Sequence, residues 1–352
     1  MAEKKYSEQT RHEMYLQPQS FAAINQALPK LYQTMDEVFA ESYDALLFIG
    51  CGTSLYLAQT AAYLFSTYNE IPAKAVCCSE LYYAPETYLC GKKTLVLPIT
   101  RKSYTTEVRM AIDKARSFKG VKSLAITCDP DSAAYNDAIL LSPETAEDSV
   151  VMTRSFTSMV YLAAILAMHV AGKNDDIEQM AEAYAQNAAD ALEKMDHLAA
   201  RIIEEHEHLN LFVTLGQGAY YGIASECMNK MKEMGLSNSE AYYTLEYRHG
   251  PMSLVDCHTL ILLLTGDETT KEDQKLMAEL QSYGAVTAVI GAGAEENFPD
   301  AAYRLSLPYG YHDAQNAALI GMIGQTLGLH IAALKGLDAD TPRHLSQAIV
   351  IR

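Results

Sequence analysis

Apolar runs alternate with stretches of helical period along most of this chain. In the first half, the apolar runs predict strands at residues 45–49, 94–99, 123–127 and 138–141, with helices at 56–67 and 105–118. The second half repeats this rhythm, with strand-like runs at 211–215, 259–265, 286–290 and 303–307. Strands that are apolar throughout are typical of parallel sheets covered by helices on both faces. The pattern predicts an α/β fold with two tandem domains, each a Rossmann-like sandwich.

The chain contains the same strand–glycine–helix unit twice. Each copy reads as an apolar strand, a glycine-x-glycine turn and a long helix, in FIGCGTSLYLAQTAAYLF at 48–65 and VTLGQGAYYGIASECMNKMKE at 213–233. Because Gly50 and Gly216 lie 166 residues apart, the duplicated unit is a whole domain rather than a short repeat. Such a turn presents backbone amides at the carboxyl edge of a sheet, where small anionic or sugar-like ligands bind. Function is therefore expected at those edges.

The remaining segments complete the predicted domain organisation. We expect an N-terminal helical segment at 1–40, with its helix near 18–40, a first domain at 41–172, a helical connector at 173–208 and a second domain at 209–336. The charged end of the connector is read as a solvated helix face. The tail at 337–352 contains Pro342 and little helical period, so it is expected to run extended across the surface.

Composition narrows the possible partners and location. The chain has 352 residues, 49% of them hydrophobic, as in a compact globular protein. With 27 Lys and Arg against 44 Asp and Glu, the formal charge of -17 repels nucleic acid and anionic membranes. The N-terminus has no signal-peptide pattern, and the apolar segment at 159–168 is too short to span a bilayer. We expect a cytoplasmic protein with no nucleic-acid or membrane partner.

The cysteines indicate neither a disulfide framework nor a metal site. There are seven, an odd number, mostly within apolar runs and without Cys-x-x-Cys or Cys/His spacing. We expect reduced core residues and no bound metal.

One loop of this acidic chain is cationic. At 100–105 a predicted strand ends, a helix begins, and the turn holds Thr100, Arg101, Lys102, Ser103 and Thr105. Free amides, hydroxyl donors, two cations and the positive end of a helix dipole are what a phosphate ester requires. The alternative is a polar turn with a threonine helix cap.

A second candidate site follows the second glycine turn. Glu226 and Glu233 are seven residues apart, so they share a helix face, and His249 follows on a short turn. Carboxylate and imidazole groups suit the opening of a sugar ring and proton transfer between adjacent carbons. The alternative is a solvated glutamate and a turn histidine. The other histidines without a partner pattern are read as structural: His206, His208, His312 and His344.

Four separated motifs carry a family resemblance. They are CGTS at 51–54, the pattern E-x-x-V-x-x-T-[KR]-x-F-T at 147–157, KMKE with EAYYTLEYRHGP ending at Pro251, and KGLDADTPRHL at 335–345. In this order they resemble the double sugar isomerase (SIS) domain of glutamine:fructose-6-phosphate aminotransferase. Stand-alone amino-sugar-phosphate deaminases and fructosamine-6-phosphate deglycases are similar as well.

The resemblance implies a role for each matching position. Glu233 would be the base that moves a proton between C1 and C2 of a sugar 6-phosphate, and His249 would open the ring, reaching the site from the partner subunit of a homodimer. No metal or organic cofactor is needed for such a proton shift. Substrate and phosphate contacts would come from the remaining positions: Thr53, Ser54, Thr100, Arg101, Lys102, Ser103, Thr105, Val150, Met152 and Gln347.

Three departures from the family pattern affect the expected chemistry. The family's phosphate loop reads S-x-S-G-x-T, whereas here a lysine and a serine occupy the third and fourth positions. Gln347 stands where the synthase has a lysine that forms an imine, and an amide cannot do so. The chain begins Met1-Ala2-Glu3, so no glutaminase and no built-in ammonia source are expected.

These features favour cleavage of a carbon–nitrogen bond over its formation. The leading hypothesis is a deaminase or deglycase acting on an amino-sugar or ketosamine 6-phosphate. One alternative is a simple aldose–ketose phosphate isomerase, and another is a non-catalytic sugar-phosphate-binding regulator.

Overall fold

A computed structural model of the chain describes residues 6–266, 270–307 and 313–351, with ten strands among them. The strands are β1 Ala45–Gly50, β2 Ala73–Cys77, β3 Thr94–Thr100, β4 Val121–Thr127, β5 Ala138–Leu141, β6 Leu211–Gly216, β7 Asn238–Tyr242, β8 Thr259–Thr265, β9 Val286–Gly291 and β10 Tyr303–Ser306.

The strands form two five-stranded sheets with the same topology. Their orders are β2-β1-β3-β4-β5 and β7-β6-β8-β9-β10, and every neighbouring pair is parallel. The predicted fold class, a parallel α/β structure in two copies, is confirmed. The strand order reverses between β1 and β3 in the first sheet and between β6 and β8 in the second. Open α/β sheets bind ligands at such a reversal point.

Helices connect the strands and cover the sheets. Those described are α1 Glu8–Tyr15, α2 Gln17–Phe39, α3 Thr53–Tyr68, α4 Cys78–Tyr83, α5 Pro85–Leu89, α6 Thr106–Arg116, α7 Arg154–Val170, α8 Asn174–Glu205, α9 Ala219–Glu233, α10 Thr270–Ser282, α11 Ala294–Asn297, α12 Asp313–Ile320 and α13 Met322–Leu334.

Strands β2 and β7 were not predicted from the sequence, and helix α1 was not placed within the predicted N-terminal helical segment. Both strands, β2 and β7, lie at an edge of their sheet and are only partly buried. An edge strand with a solvated face lacks the continuous apolar run that marked the central strands. The helix, α1, is short and mostly polar, and its backbone is held by Asp338 and Asp340 near the other end of the chain.

The chain divides into two compact units. The N-terminal unit contains residues 16–148, 154–186 and 346–351, and the C-terminal unit contains residues 6–15, 149–153 and 187–345. Each unit holds one sheet and its own apolar core. The first helix thus belongs with the second sheet, and the chain's last residues belong with the first sheet.

The two glycine-x-glycine turns have matching geometry. A Cβ at Gly50 would lie 2.4 Å from the backbone of Ser54, and one at Gly216 would lie 2.4 Å from the Tyr220 carbonyl oxygen. The second glycine of each turn, Gly52 or Gly218, caps the helix with a φ of 54° or 58°. The duplicated motif therefore builds the same close contact between strand end and helix start in both units.

One apolar stretch of the described residues is long enough to cross a membrane. It is Gln315–Leu334, with a mean hydropathy of 1.6, and 83% of it is buried. A core helix of a folded domain passes the same test, and the burial favours that interpretation.

The cysteine expectation is only partly correct. All seven cysteines are free and Cys78, Cys128 and Cys227 are buried, but Cys90 and Cys257 are exposed. Both exposed residues lie in loops that follow or precede a secondary-structure element, so an apolar neighbourhood in sequence did not place them in the core.

Candidate active site

The N-terminal unit presents two polar turns at the switch point of its sheet. Because β1 and β3 are neighbours, the turn before α3 and the loop before α6 leave the same carboxyl edge side by side. Thr53 and Ser54 are the first two residues of α3 and are nearly buried. The first turn of a helix carries the positive end of the helix dipole, which favours an anion.

Internal hydrogen bonds hold the cationic loop in shape. The Thr100 hydroxyl donates to the Lys102 carbonyl at 2.7 Å, and the Ser103 amide donates to Asp129 at 2.8 Å. Arg109 of α6 donates to the Ser103 carbonyl at 2.8 Å. Thr105 caps α6 without a side-chain cap bond and is partly exposed. These hydrogen bonds therefore hold the loop in one conformation, with several hydroxyl and amide groups at one edge of the sheet.

The two cations of this loop have different surroundings. Arg101 is 5% exposed, forms an ion pair with buried Glu147 at 3.3 Å, and donates to the Gln347 carbonyl at 2.9 Å. Lys102 is partly exposed, and no ion pair of its ammonium is found among residues 6–266, 270–307 and 313–351. Lys102 is thus the cation available to a ligand, while Arg101 holds the surrounding chain together.

Glu147 is a residue that the sequence singled out only as the start of a motif. Its carboxylate accepts from the amide and the hydroxyl of Ser155, at the start of α7, as well as from Arg101. Burying a carboxylate is costly unless it is paired and hydrogen-bonded, and here both conditions are met. Glu147 therefore fixes Arg101 and α7 in one arrangement.

The end of the chain lies on this loop. The Ile349 carbonyl accepts from the Thr106 amide at 3.1 Å, and the Ile351 amide donates to the Thr106 hydroxyl at 3.1 Å. Gln347 adds a side-chain bond to the Asp148 carbonyl. Residues 337–351 contain neither helix nor strand, and their last part is anchored beside the start of α6.

Asp129 accepts a hydrogen bond from this loop, and its pKa reflects that contact. Burial alone raises the pKa of Asp129, but bonds from the amides of Ser103 and Asp131 and the charge of Lys102 outweigh it and lower the pKa. The ionised form of Asp129 is thus the one that organises the loop.

The C-terminal unit contains a buried ion triad on α9. Lys230 is fully buried and lies 2.9 Å from Glu226, itself 1% exposed, and 2.5 Å from Glu233. The three residues stand at spacings of four and three, so they share one helix face. Only the Glu233 side chain, at 22% exposure, reaches the surface. A protonated lysine is thereby fixed against the one carboxylate that a substrate could reach.

Lys230 was not singled out by sequence reasoning. Burial alone lowers the pKa of Lys230, but the charges of Glu226 and Glu233 outweigh it and raise the pKa above its usual value. The available signal was its position between two acidic residues at helical spacing. That signal was masked because Glu-x-x-x-Lys pairs are common on solvated helix faces.

Two glycines of α13 let that helix approach the triad closely. A Cβ at Gly324 would lie 2.6 Å from the Cα of Cys227, and one at Gly328 would lie 3.0 Å from the Lys230 carbonyl oxygen. Gly235, after the end of α9, is pressed against Ile331 in the same way. Close backbone contact excludes water from Lys230, which strengthens its electrostatic interactions.

The segment at 149–153 is anchored to the same helix. Gln325 of α13 donates to the Thr153 carbonyl at 3.1 Å, and the Ser149 amide donates to Glu13 at 3.2 Å. Within this segment Val150 is partly exposed and Met152 is 9% exposed. The two expected pocket residues and Glu233 therefore belong to one unit and to elements that contact α13.

Glu233 does not lie at the carboxyl edge of its sheet. As the last residue of α9, which returns from β6 toward the start of β7, it lies at the opposite end of the strands. His249 lies in a turn between two short 3-10 helices and is exposed, with its amide bonded to the Glu246 carbonyl at 3.0 Å. The expectation that function lies at the carboxyl edges of the sheets therefore fits the position of the cationic loop better than it fits the position of Glu233.

The remaining histidines form no metal centre in the described residues. His206 and His208 contact one another with ring centroids 5.7 Å apart, and no group of three or more His, Cys, Asp or Glu residues suited to a metal ion occurs there. His344 is exposed with a φ of 65°, and His312 lies outside the described residues.

Comparison with known proteins identifies the architecture. The model of the SIS domain family matches residues 41–169 and 188–334. Glutamine–fructose-6-phosphate aminotransferase of Francisella tularensis is 27% identical over 363 residues, covering 96% of this chain and 58% of that protein. The Zymomonas mobilis enzyme of the same name is 28% identical, covering 86% of this chain and 51% of that protein. The chain thus spans about half the length of these curated relatives.

Solved structures with the same fold extend over nearly the whole chain. Glucosamine-6-phosphate deaminase from Thermotoga maritima is 27% identical with a TM-score of 0.74, covering 94% of this chain and 99% of that one. Tagatose-6-phosphate ketose/aldose isomerase from Escherichia coli matches with a TM-score of 0.78 over 94% of this chain and 95% of that one, and at 22% identity this likeness concerns the fold alone. With two family-model matches in register with its two sheets, this chain belongs to the SIS domain family.

Proposed function

We propose that this chain is a phosphosugar isomerase of SIS type that acts on an amino-sugar or ketosamine 6-phosphate. In this reaction a proton moves between C1 and C2, and the nitrogen leaves as ammonia or an amine. The observation that carries the proposal is the partly exposed carboxylate of Glu233, bonded at 2.5 Å to a fully buried lysine. Likeness to a protein named glucosamine-6-phosphate deaminase, at 27% identity, supports the choice of substrate class.

Each residue of the triad has a role in the proposed proton transfer. Glu233 is the base that takes the proton from one carbon and returns it to the next. Lys230 is a positioning residue: its ion pair and hydrogen bond with Glu233 fix the carboxylate in one orientation. Glu226 forms a second ion pair with the Lys230 ammonium, which helps to compensate the cost of burying that charge. His249 opens the sugar ring.

The phosphate of the substrate is assigned to the cationic loop. Lys102 supplies the charge, while Thr53, Ser54, Thr100, Ser103 and Thr105 supply hydroxyl and amide donors. Arg101, which is committed to Glu147 and the Gln347 carbonyl, shapes the loop. Val150 and Met152 line the sugar pocket. Binding energy from the remote phosphate orients the reacting carbons.

Gln347 favours bond cleavage over bond formation. In the resembling synthases a lysine at the matching place forms an imine with the ketose, and an amide nitrogen is not nucleophilic enough to do so. Removal of nitrogen through an enolamine needs a base and an acid to move the proton, and one water molecule that adds to the resulting imine carbon as ammonia or the amine leaves. We also propose a cytoplasmic homodimer in which the exposed His249 serves the partner subunit's site, and sedimentation of the purified chain tests its oligomeric state.

The test measures amine release from glucosamine 6-phosphate, galactosamine 6-phosphate and fructosamine 6-phosphates. We expect Glu233→Gln to lose about 100-fold or more in kcat, as for removal of a general base. Glu182→Gln, an exposed carboxylate of α8, is the matched control and should match wild type. Equal rates for Glu233→Gln and wild type would overturn the assigned role.

The same assay separates the alternatives. Interconversion of an aldose and a ketose phosphate without amine release would make the chain a simple isomerase, which the triad also permits because it needs no substrate nitrogen. Saturable phosphosugar binding with no turnover of any substrate would make it a binding regulator.

A further inference from the structure

Three cysteines meet where two neighbouring strands end. Gly50, the last residue of β1, is the register partner of Cys77, the last residue of β2. The next residues are Cys51, which is half-buried, and Cys78, which is fully buried. Both pack against the same apolar cluster.

The geometry of adjacent parallel strands suits a disulfide between these two thiols. Neighbouring strands lie about 4.8 Å apart, within the Cα separation of roughly 4.4–6.8 Å that disulfides span. The third cysteine is directed elsewhere, because the Cys77 thiol lies 3.2 Å from the Ser79 hydroxyl. Cys51 and Cys78 are therefore the pair that the strand register places side by side.

Cys51 has the surroundings of a reactive thiol. The hydrogen bond from Cys78 lowers the pKa of Cys51 more than burial and the charge of Glu107 raise it. Cys51 also directly precedes the cap of the 16-residue helix α3, whose positive end favours a thiolate. The same hydrogen bond, together with burial, raises the pKa of Cys78, so Cys51 is the attacking thiol.

We propose that Cys51 and Cys78 form a reversible disulfide in response to a hydroperoxide. The Cys51 thiolate attacks the peroxide oxygen, which yields a sulfenic acid and releases hydroxide or the corresponding alkoxide. The Cys78 sulfur then attacks the sulfenic sulfur, loses its proton and expels hydroxide. Overall, two thiols lose two electrons and two protons, and hydrogen peroxide is reduced to two waters. A dithiol reductant restores both thiols.

The disulfide would act on the sugar site through the turn that bears Cys51. Only Gly52 separates this cysteine from Thr53 and Ser54, and the backbone of Ser54 is in contact with Gly50, with no room for an added Cβ. A shift of the Cys51 sulfur toward Cys78 therefore moves both hydroxyl residues. This consequence, but not the disulfide itself, rests on the proposed function, in which Thr53 and Ser54 contact the sugar phosphate.

The test treats the reduced full chain with hydrogen peroxide, blocks free thiols and maps peptides without reduction. We expect a linked peptide pair containing Cys51 and Cys78, lost on treatment with dithiothreitol. Cys77→Ala should still form the link and Cys78→Ala should not. The exposed Cys90 and Cys257 report that the oxidant acted. Oxidation of those two without a Cys51–Cys78 link would overturn the proposal.

A binding readout tests the consequence separately. Affinity for glucosamine 6-phosphate, measured by calorimetry, should fall about tenfold or more on oxidation of wild type but not of Cys78→Ala, since misplaced contacts lose binding energy steeply. A link that forms without any change in affinity would contradict the effect on the turn. If the reduced protein binds no phosphosugar, the proposed function fails, while peptide mapping still decides whether the disulfide forms.

Discussion

The ammonium of Lys230 lies 2.5 Å from the Glu233 carboxylate and 2.9 Å from that of Glu226. This lysine is wholly buried, yet it stays protonated because the two carboxylates outweigh the cost of its burial. A lysine in this state does not exchange protons near neutral pH. It acts on Glu233 through its fixed charge and its hydrogen bond, which separates it in role from the base beside it.

Removal of this charge should destabilise the C-terminal unit strongly. Lys230→Met leaves Glu226 buried without its partner, so we expect a loss of about 3–5 kcal/mol in the free energy of unfolding. Lys230→Met combined with Glu226→Gln should recover part of that loss, because the buried negative charge is removed as well. Urea denaturation followed by circular dichroism measures both values.

Lys194→Met is the matched control for this prediction. Lys194 forms an exposed pair with Asp190 on α8, so its replacement should change stability by less than about 1 kcal/mol. If Lys230→Met lowers the free energy of unfolding no more than Lys194→Met does, the triad does not stabilise the C-terminal unit as predicted.

The glycines of α13 should be sensitive to a single added methyl group. Gly324→Ala places a Cβ 2.6 Å from the Cα of Cys227, whereas Gly328→Ala places one 3.0 Å from the Lys230 carbonyl. Overpacking of this kind costs about 1–3 kcal/mol, and the tighter contact should cost more. Thermal unfolding of the two variants should therefore rank Gly324→Ala below Gly328→Ala and both below wild type. A melting temperature equal to that of wild type in either variant would contradict the close approach.

The sequence predicted the central parts of the fold because they are the most strongly patterned. The eight predicted strands have apolar runs that need no tertiary information, and the Gly50 and Gly216 turns share a local steric requirement. Strands β2 and β7 were missed because an edge strand owes its conformation to pairing with a neighbour. The local pattern of apolar and polar residues does not show which strands will pair.

The site was predictable as a set of residue types but not as a set of partners. Arg101 and Lys102 look equivalent in the sequence, and only the fold brings the buried Glu147 and the Gln347 carbonyl to one of them. Lys230 was recoverable in principle from its helical spacing to two glutamates. Whether such a lysine is solvated or buried depends on the glycines of α13, which are about a hundred residues further along the chain.

The two cations of the loop should give opposite results on substitution. Lys102→Ala should leave stability within about 0.5 kcal/mol of wild type, since the ammonium is partly exposed. It should lower affinity for a sugar 6-phosphate about tenfold, the value of one charge-assisted hydrogen bond. Isothermal titration calorimetry measures the affinity, and Lys119→Ala, an exposed cation of the same unit, is the control.

Arg101→Ala should act on stability and on the end of the chain instead. The variant leaves the buried Glu147 carboxylate without its cation, which costs about 3 kcal/mol, and removes the bond to the Gln347 carbonyl. Release of that segment should speed tryptic cleavage after Arg343, as followed by mass spectrometry. A reversal of the two results, with Lys102 governing stability and Arg101 affinity alone, would contradict the division of roles.

Through Asp129, the loop should also make the stability of the protein depend on pH in the acidic range. The folded-state pKa of Asp129 is lowered, so its contribution is full above the unfolded value of about 3.9 and is lost as pH falls through the folded value. Asp129→Asn keeps the shape of the side chain but not its charge. We expect the variant to be about 1 kcal/mol less stable than wild type at pH 7 and the gap to close below about pH 4. Urea denaturation across this range measures the gap, with Asp131→Asn, an exposed neighbour, as the control. A gap that stays constant, or widens as pH falls, would show that the charge of Asp129 does not organise the loop.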